Sequence, residues 1–256
     1  MAILSIAGVS RSFGGVQALQ GCSLDVEEGS VAGLIGPNGS GKTTLFNVVT
    51  GYVRADAGRV LFRDEDITGQ RPNQVFARGI GRTFQLTRIF ERLTVVENML
   101  VATQRSEGWL RGLTRSKSSV AEVDTALELL EFVGIAGLAE LHAGALSYGQ
   151  RKLLELAYVL VADPQVILLD EPAGGVNPTL INRIAEKIRA LNAQGKTFLI
   201  VEHNMEFVMS VCDRVTVMHQ GCNLVSGTPE EVRNDSRVLD AYLGGGDDEL
   251  EEVAGG

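Results

Sequence analysis

Gly36-Pro37-Asn38-Gly39-Ser40-Gly41-Lys42-Thr43, followed by Thr44, matches the pattern G-x-x-x-x-G-K-[ST]. Its flanks decide how it reads. Val31-Ala32-Gly33-Leu34-Ile35 ahead of it is a continuous apolar run of buried-strand type. Leu45, Val48 and Val49 behind it have the spacing of one helix face, and Gly51 is placed to end that helix in a left-handed conformation. Between a strand and a helix, the glycines let the backbone curl until successive N–H groups converge on phosphate oxygens, and the helix start adds partial positive charge. Lys42 then reaches the β- and γ-phosphates, and the Thr43 hydroxyl is a ligand for Mg²⁺. The bland alternative, a glycine-rich turn that binds nothing, does not account for a whole motif in register with both flanks. The sequence predicts a nucleoside-triphosphate-binding protein.

Composition narrows the class. The 256 residues suit one large domain or a domain with an inserted subdomain, and 45% hydrophobic with 21% charged residues is globular rather than disordered. No apolar run approaches the ~18–20 residues of a membrane-spanning helix, and Met1–Ile6 does not open a secretory signal. Cys22, Cys212 and Cys222 include no C-x-x-C pair and read as free thiols in a reducing compartment. A net charge of −9 argues against nucleic acid as the main partner. Asp247, Asp248, Glu249, Glu251 and Glu252, between Gly244–Gly246 and Gly255–Gly256, form an acidic tail that is expected to be disordered.

Outward from the phosphate loop, Ile3–Val9, Cys22–Val26 and Gly58–Phe62 read as short strands of an antiparallel sheet beside a parallel core. From about residue 87 to 161 the pattern is helical, with apolar stripes at Val95, Val96, Met99, Leu100 and at Leu127, Leu129, Leu130, Val133. Within it, residues 103–119 carry four basic residues against Glu107 around Trp109 and Leu110. That segment is either a solvated loop or a basic patch that meets lipid headgroups or a membrane partner. After Val161, strands at Val166–Leu169 and Thr197–Val201 alternate with helices at Thr179–Leu191 and Met205–Val211. A hairpin closes around Gln220-Gly221.

Val166–Leu169 delivers Asp170 and Glu171 at a strand's carboxyl end, where ligands of open α/β sheets bind. Asp170 suits the Mg²⁺ shell, and Glu171 can polarise an attacking water or accept its proton. Ser147 with Gln150 fits a capping box opening a helix with a stripe at Leu153, Leu156, Ala157, Leu160 and Val161. The Ser147 hydroxyl, the Gly149 N–H and the helix start could offer a second anion site. One phosphate loop with a second anion-binding helix start suggests two copies sharing each nucleotide.

In their order, the phosphate loop, Gln85, Leu146-Ser147-Tyr148-Gly149-Gln150, Leu169-Asp170-Glu171-Pro172 and His203 resemble the ATP-binding subunits of ABC transporters over residues 1–243. The resemblance implies an α/β P-loop NTPase of ABC type: a mixed, largely parallel core sheet, an antiparallel β subdomain and a helical subdomain inserted at about 87–161, with 244–256 as the tail. It implies ATP and Mg²⁺ as cofactors. Two subunits would pack head to tail, so that Gly36–Thr43 of one faces Ser147–Gln150 of the other across the γ-phosphate. Carried over by position, Phe13 stacks on adenine, Gln85 reaches Mg²⁺ and water, His203 contacts the γ-phosphate, and Lys42 and Glu171 act in hydrolysis. Asn177 stands where many members have Asp, which leaves the cross-dimer contact of that loop open.

Arg82-Thr83-Phe84-Gln85, Val95-Val96-Glu97-Asn98, the 103–119 insert, Tyr148 and Asn177-Pro178 look most similar to the branched-chain amino acid importer group. That implies permease subunits, a solute-binding protein acting indirectly, and a peripheral location on the cytoplasmic face of the inner membrane. Urea, amide and aromatic-acid importers share much of the pattern. The other readings are an exporter or lipid-extraction system, an ABC-type ATPase acting on DNA or ribosomes, and a nucleotide switch with little turnover. The transported solute is not encoded in this chain.

Overall fold

The computed structural model describes residues 1–83, 89–106 and 120–243. The chain opens with two long antiparallel strands, β1 (Ala2–Phe13) and β2 (Val16–Glu27). Both outrun the short strands expected at Ile3–Val9 and Cys22–Val26. Apart from the buried Leu19, the added residues 10–13 and 16–21 are partly or wholly exposed, so no apolar alternation marks them, and the ladder hydrogen bonds extend the pair. Next come β3 (Val31–Ile35), α1 (Lys42–Val49), β4 (Ala57–Phe62) and the two-residue β5 (Glu65–Asp66). The short α2 (Pro72–Ala77) and β6 (Ile80–Arg82) follow. Three helices then build one layer: α3 (Val95–Ser106), α4 (Val120–Val133) and α5 (Tyr148–Leu160). Alternation returns with β7 (Val166–Asp170), α6 (Pro178–Ala193), β8 (Thr197–Val201) and α7 (Met205–Val211). The hairpin β9 (Arg214–His219) and β10 (Cys222–Gly227) leads to α8 (Pro229–Arg233) and α9 (Ser236–Leu243).

The strands form two sheets. One is antiparallel, ordered β2-β1-β4-β5. The other is ordered β10-β9-β3-β8-β7-β6 and is parallel except for its β9–β10 hairpin. β3, β7 and β8 are buried at every position, as strands covered on both faces must be. Their period of two divides the interior. Leu34, Val166, Leu168, Leu199 and Val201 pack with α1 and the antiparallel sheet. Ile35, Ile167, Leu169, Phe198 and Ile200 pack with the helical layer.

The α4 stripe differs from the expected one. Ala126, Leu130 and Val133 are buried, whereas Leu127 is 38% exposed. Ala126 lies one helical turn from Leu130, so the helix axis, not the larger side chain, picks the inner face. On α5 the stripe is right but incomplete: Lys152 and Glu155 are also buried, because α3, α4 and the β7 edge surround that helix.

Asn98 is wholly buried. It accepts from the Phe90 N–H (2.7 Å) and donates to the Phe90 and Thr94 carbonyls, pinning 90–94 to the start of α3. Among the described residues no helix is long and apolar enough to cross a membrane, and the three cysteines are unbridged. The 244–256 tail and residues 107–119 of the insert lie outside the described residues.

Candidate functional site

Register places the site. Leu34, Val201 and Asp170 occupy one row across β3, β8 and β7, through the pairs Leu34–Val201 and Val201–Asp170. Just beyond that row the three strands release Gly36, then Glu202 and His203, then Glu171. The neighbouring β6 releases Thr83 from the same edge. Segments far apart in the chain therefore share one rim.

The loop after β3 is closely packed. Gly36 has φ 145°, and a Cβ there would lie 2.1 Å from the Met218 carbonyl oxygen. Gly41, at φ 105°, would meet the Ala18 carbonyl oxygen at 2.5 Å. Both positions demand glycine on conformation and on space. Lys42 is buried, and its Nζ donates to the Gly36 (2.6 Å) and Pro37 (3.0 Å) carbonyls, which fixes the ammonium inside the curl of the loop. Asn38 and Gly39 are exposed, as is Thr43 on the first turn of α1, and Thr44 is half-buried. Ser40 is buried, and its hydroxyl has no hydrogen-bond partner among the described residues.

Asp170 is 2% exposed, with two unlike oxygens. Oδ2 accepts from Arg82 Nη2 (2.9 Å), whose Nη1 also donates to Asn47 (2.7 Å) and Thr50 (3.1 Å) on and after α1. Oδ1 is buried without a hydrogen-bond partner among the described residues. A buried carboxylate with one oxygen paired and one open suits a cation or its water, so the residues present fit Mg²⁺. The Asp170 N–H donates to Thr83 Oγ1 (3.2 Å).

Glu171 is half-buried and left-handed, at φ 49°. Its N–H donates to the Val201 carbonyl (2.9 Å). Its carbonyl accepts from the Gly174 N–H (3.1 Å) and from Lys152 Nζ (3.1 Å). A non-glycine residue there costs about 1–2 kcal/mol, so these bonds must over-determine it.

Glu202 is a site residue that the sequence reading missed. It is 1% exposed, and its carboxylate accepts from the N–H groups of Ala173 (2.6 Å), His203 (2.9 Å) and Asn204 (3.1 Å). Burial pushes its carboxyl up and the three N–H groups oppose that. It joins the segment after Glu171 to the backbone of His203, whose side chain is exposed. A carboxylate ending an apolar strand, as Asp170 ends β7, was the available signal.

Ser147 and Gln150 form the expected capping box: the Gln150 N–H donates to Ser147 Oγ (3.3 Å) and the Ser147 N–H to Gln150 Oε1 (2.8 Å). A Cβ on Gly149 would come 2.2 Å from Leu180 Cδ2, so glycine lets the start of α5 approach the start of α6. Asn177 caps α6 through Oδ1, which accepts from the Leu180 N–H (2.9 Å). Phe13, at the end of β1, is 44% exposed, with the Arg11 guanidinium 4.7 Å from its ring centre. Gln85 lies outside the described residues.

A third buried carboxyl flanks this rim. Glu155, Lys152, Thr83, Asp170 and Pro172 share a small cavity, and burial raises the Glu155 carboxyl from 4.5 to about 7 against the pull of the Lys152 ammonium. A carboxyl raised on folding gives its full share of stability below the unfolded value and loses it as pH climbs through the folded one. Between pH 4.5 and 8 this group alone should cost the fold about 3 kcal/mol. Urea melts at pH 5 and pH 8 should show the loss in the native protein and a smaller one in Glu155→Gln. Equal pH slopes would contradict the burial argument.

Comparison with known proteins agrees with this geometry. Residues 19–174 match the ABC transporter family model, and residues 223–248 match the model for the branched-chain amino acid ATP-binding cassette transporter. The chain is 39% identical to the high-affinity branched-chain amino acid transport ATP-binding protein LivG of Escherichia coli (strain K12), over 94% of this chain and 98% of that one. It is 40% identical to the probable LivG of Methanocaldococcus jannaschii, over 95% and 98%. The crystal structure of the ADP conformation of an ATP-binding cassette of an ABC transporter superposes with a TM-score of 0.87 at 38% identity, covering 95% of this chain and 99% of that one. A nucleotide-free cassette gives 0.86 at 39% identity, covering 94% and 99%. The chain belongs to the ABC transporter family: it is one of that family's ATP-binding cassettes, an ATPase subunit.

Proposed function

We propose that this ATPase powers import of branched-chain amino acids through separate permease subunits, fed indirectly by a solute-binding protein. The observation that carries the ATPase chemistry is the shared rim of Gly36–Thr44, Asp170-Glu171 and His203 at the ends of three adjacent strands. The solute assignment rests on the relatives' names and on the match at residues 223–248. Two such subunits, alike or different, pack head to tail, and no nucleic acid takes part. The cassette spans residues 1–243, with the helical subdomain at about 87–161 and the 244–256 tail outside it. It works peripherally at the cytoplasmic face of the inner membrane.

Gly36–Thr44 bind the triphosphate through loop N–H groups, and Lys42 places its ammonium on the β/γ oxygens. Phe13 stacks on adenine. Ser147, Gly149 and Gln150 close on the partner subunit's nucleotide. Thr43, Asp170 and Gln85 would hold Mg²⁺, which neutralises phosphate charge when bound. Glu171 takes the proton of the attacking water, and His203 orients the γ-phosphate.

Gln85 follows Thr83 by two residues, and Thr83 is tied to Asp170. A shift at the metal side of the site thus has a short route to the segment a permease would touch. The experiment is reconstitution in vesicles with the co-purified permease subunits and measurement of leucine uptake. Native protein should support ATP-dependent uptake, whereas uptake of another solute alone would refute the amino-acid assignment. Gln85→Ala should keep ATP affinity within about threefold, while permease-stimulated hydrolysis and uptake fall about tenfold or more, far more than basal hydrolysis. An equal loss in all of them would make Gln85 a residue of the chemistry alone.

A further inference from the structure

Lys152 is a buried cation that neither the nucleotide loop nor the acid pair explains. It lies on α5, five residues beyond Ser147, and is 9% exposed. A lysine costs several kcal/mol to bury without compensation, so its partners identify its work. Three are seen among the described residues, one beyond the end of β7 and two on its own helix α5. Its Nζ donates to the Glu171 carbonyl at 3.1 Å, beyond the end of β7. The Tyr148 ring, one helical turn back, lies 5.7 Å from the ammonium. Glu155, three residues on, supplies the opposite charge.

Tyr148 is itself placed against the segment after Glu171, since a Cβ on Gly175 would sit 3.2 Å from Tyr148 Cε1. The first turns of α5 therefore grip the Glu171–Gly175 segment twice, through the lysine and through the ring. Among the described residues the Glu171 carbonyl accepts from Lys152 Nζ and from the Gly174 N–H. Lys152 is the one that comes from another layer of the fold.

We propose that Lys152 is a positioning residue that ties the helix start bearing Ser147–Gln150 to the left-handed backbone of Glu171 in the same chain. This rests on the reading of Glu171 as proton acceptor and of Ser147–Gln150 as the contact to the partner subunit's nucleotide. Closure of α5 on that nucleotide then sets the orientation of this chain's own Glu171. Each site of a dimer is cocked by occupancy of the other, and no residue need reach between the two sites.

The test compares native protein with Lys152→Met, which keeps the stem and removes the donor, and Lys152→Arg, which restores one. Measured are the kcat and KM of ATP hydrolysis and ATP-dependent dimer formation on an added Glu171→Gln background. The methionine variant should lose about tenfold in kcat, keep KM within about twofold, still dimerise with ATP, and regain most activity as arginine. Should the methionine variant not fold, as judged by its melting curve, Lys152→Gln replaces it under the same criteria. A kcat within twofold of native would overturn the proposal. So would parallel loss of kcat, KM and dimer formation that arginine does not restore, since that pattern marks mere structural support. Native protein that binds ATP without hydrolysing it would defeat the underlying reading of Glu171, an outcome distinct from either.

Discussion

Lys42→Ala should reduce ATP turnover by about 10²–10³-fold and weaken ATP binding. The argument is one of charge and replacement. The site's carboxylates, Asp170 and Glu171, face the same rim as the phosphate loop, so a triphosphate entering there needs compensating positive charge. Arg82 is already committed to Asp170 Oδ2, Asn47 and Thr50. Lys152 is committed to the Glu171 carbonyl, and Lys196 pairs with Asp163. Lys42 alone among these has its ammonium inside the curl, held by the Gly36 and Pro37 carbonyls. Both carbonyls belong to the loop itself, so removing the lysine should leave the fold intact. Phosphate release and fluorescent-nucleotide titration measure the effect, with melting as the control. Hydrolysis within about fivefold of native in a folded variant would refute the phosphate-loop assignment.

Glu171→Gln should separate binding from chemistry. It keeps the size of the side chain and the backbone bonds to Val201, Gly174 and Lys152, while removing the carboxylate proposed to accept the proton. Loss of a general base costs about 10²–10⁴ in rate, so ATP should bind and persist. Bound ATP bridging Gly36–Thr43 of one copy and Ser147–Gln150 of the other would then hold a dimer that native protein forms only in passing. Size-exclusion chromatography with light scattering, with and without Mg-ATP, reads this directly. A variant that turns over at the native rate would remove Glu171 from the chemistry. One that binds ATP without turnover yet stays monomeric in isolation and with its permease would count against the shared site.

Arg82 and Asp170 illustrate a different balance. The pair is almost wholly buried, and removing one partner of such a pair costs about 3–5 kcal/mol because the other is left charged and unpaired. Substitutions at Asp170 would therefore mix a loss of stability with the proposed metal role, which makes Lys42 and Glu171 the cleaner probes.

What the sequence determined by itself is local. The loop at Gly36–Thr44 is legible because positive φ and close backbone approach at Gly36 and Gly41 admit one residue type. The cap at Ser147–Gln150 is legible because its donors and acceptors lie within three residues. The buried strands β3, β7 and β8 announce themselves as unbroken apolar runs. Membership in the family was also readable, from five motifs in order.

Tertiary structure decided the rest, through contacts between residues far apart in the chain. Only strand order sets β8 between β3 and β7, bringing His203 beside the phosphate loop and Glu171. Glu202 gains its role from Ala173, 29 residues away, and Arg82 from Asp170, 88 residues away. Lys152 and Glu155 sit in a helix whose polar residues suggest an open face, and only the packing around α5 buries them. Local patterns record what a residue needs from its neighbours in sequence. Desolvation and pairing of charge depend on neighbours in space, and those come from the fold.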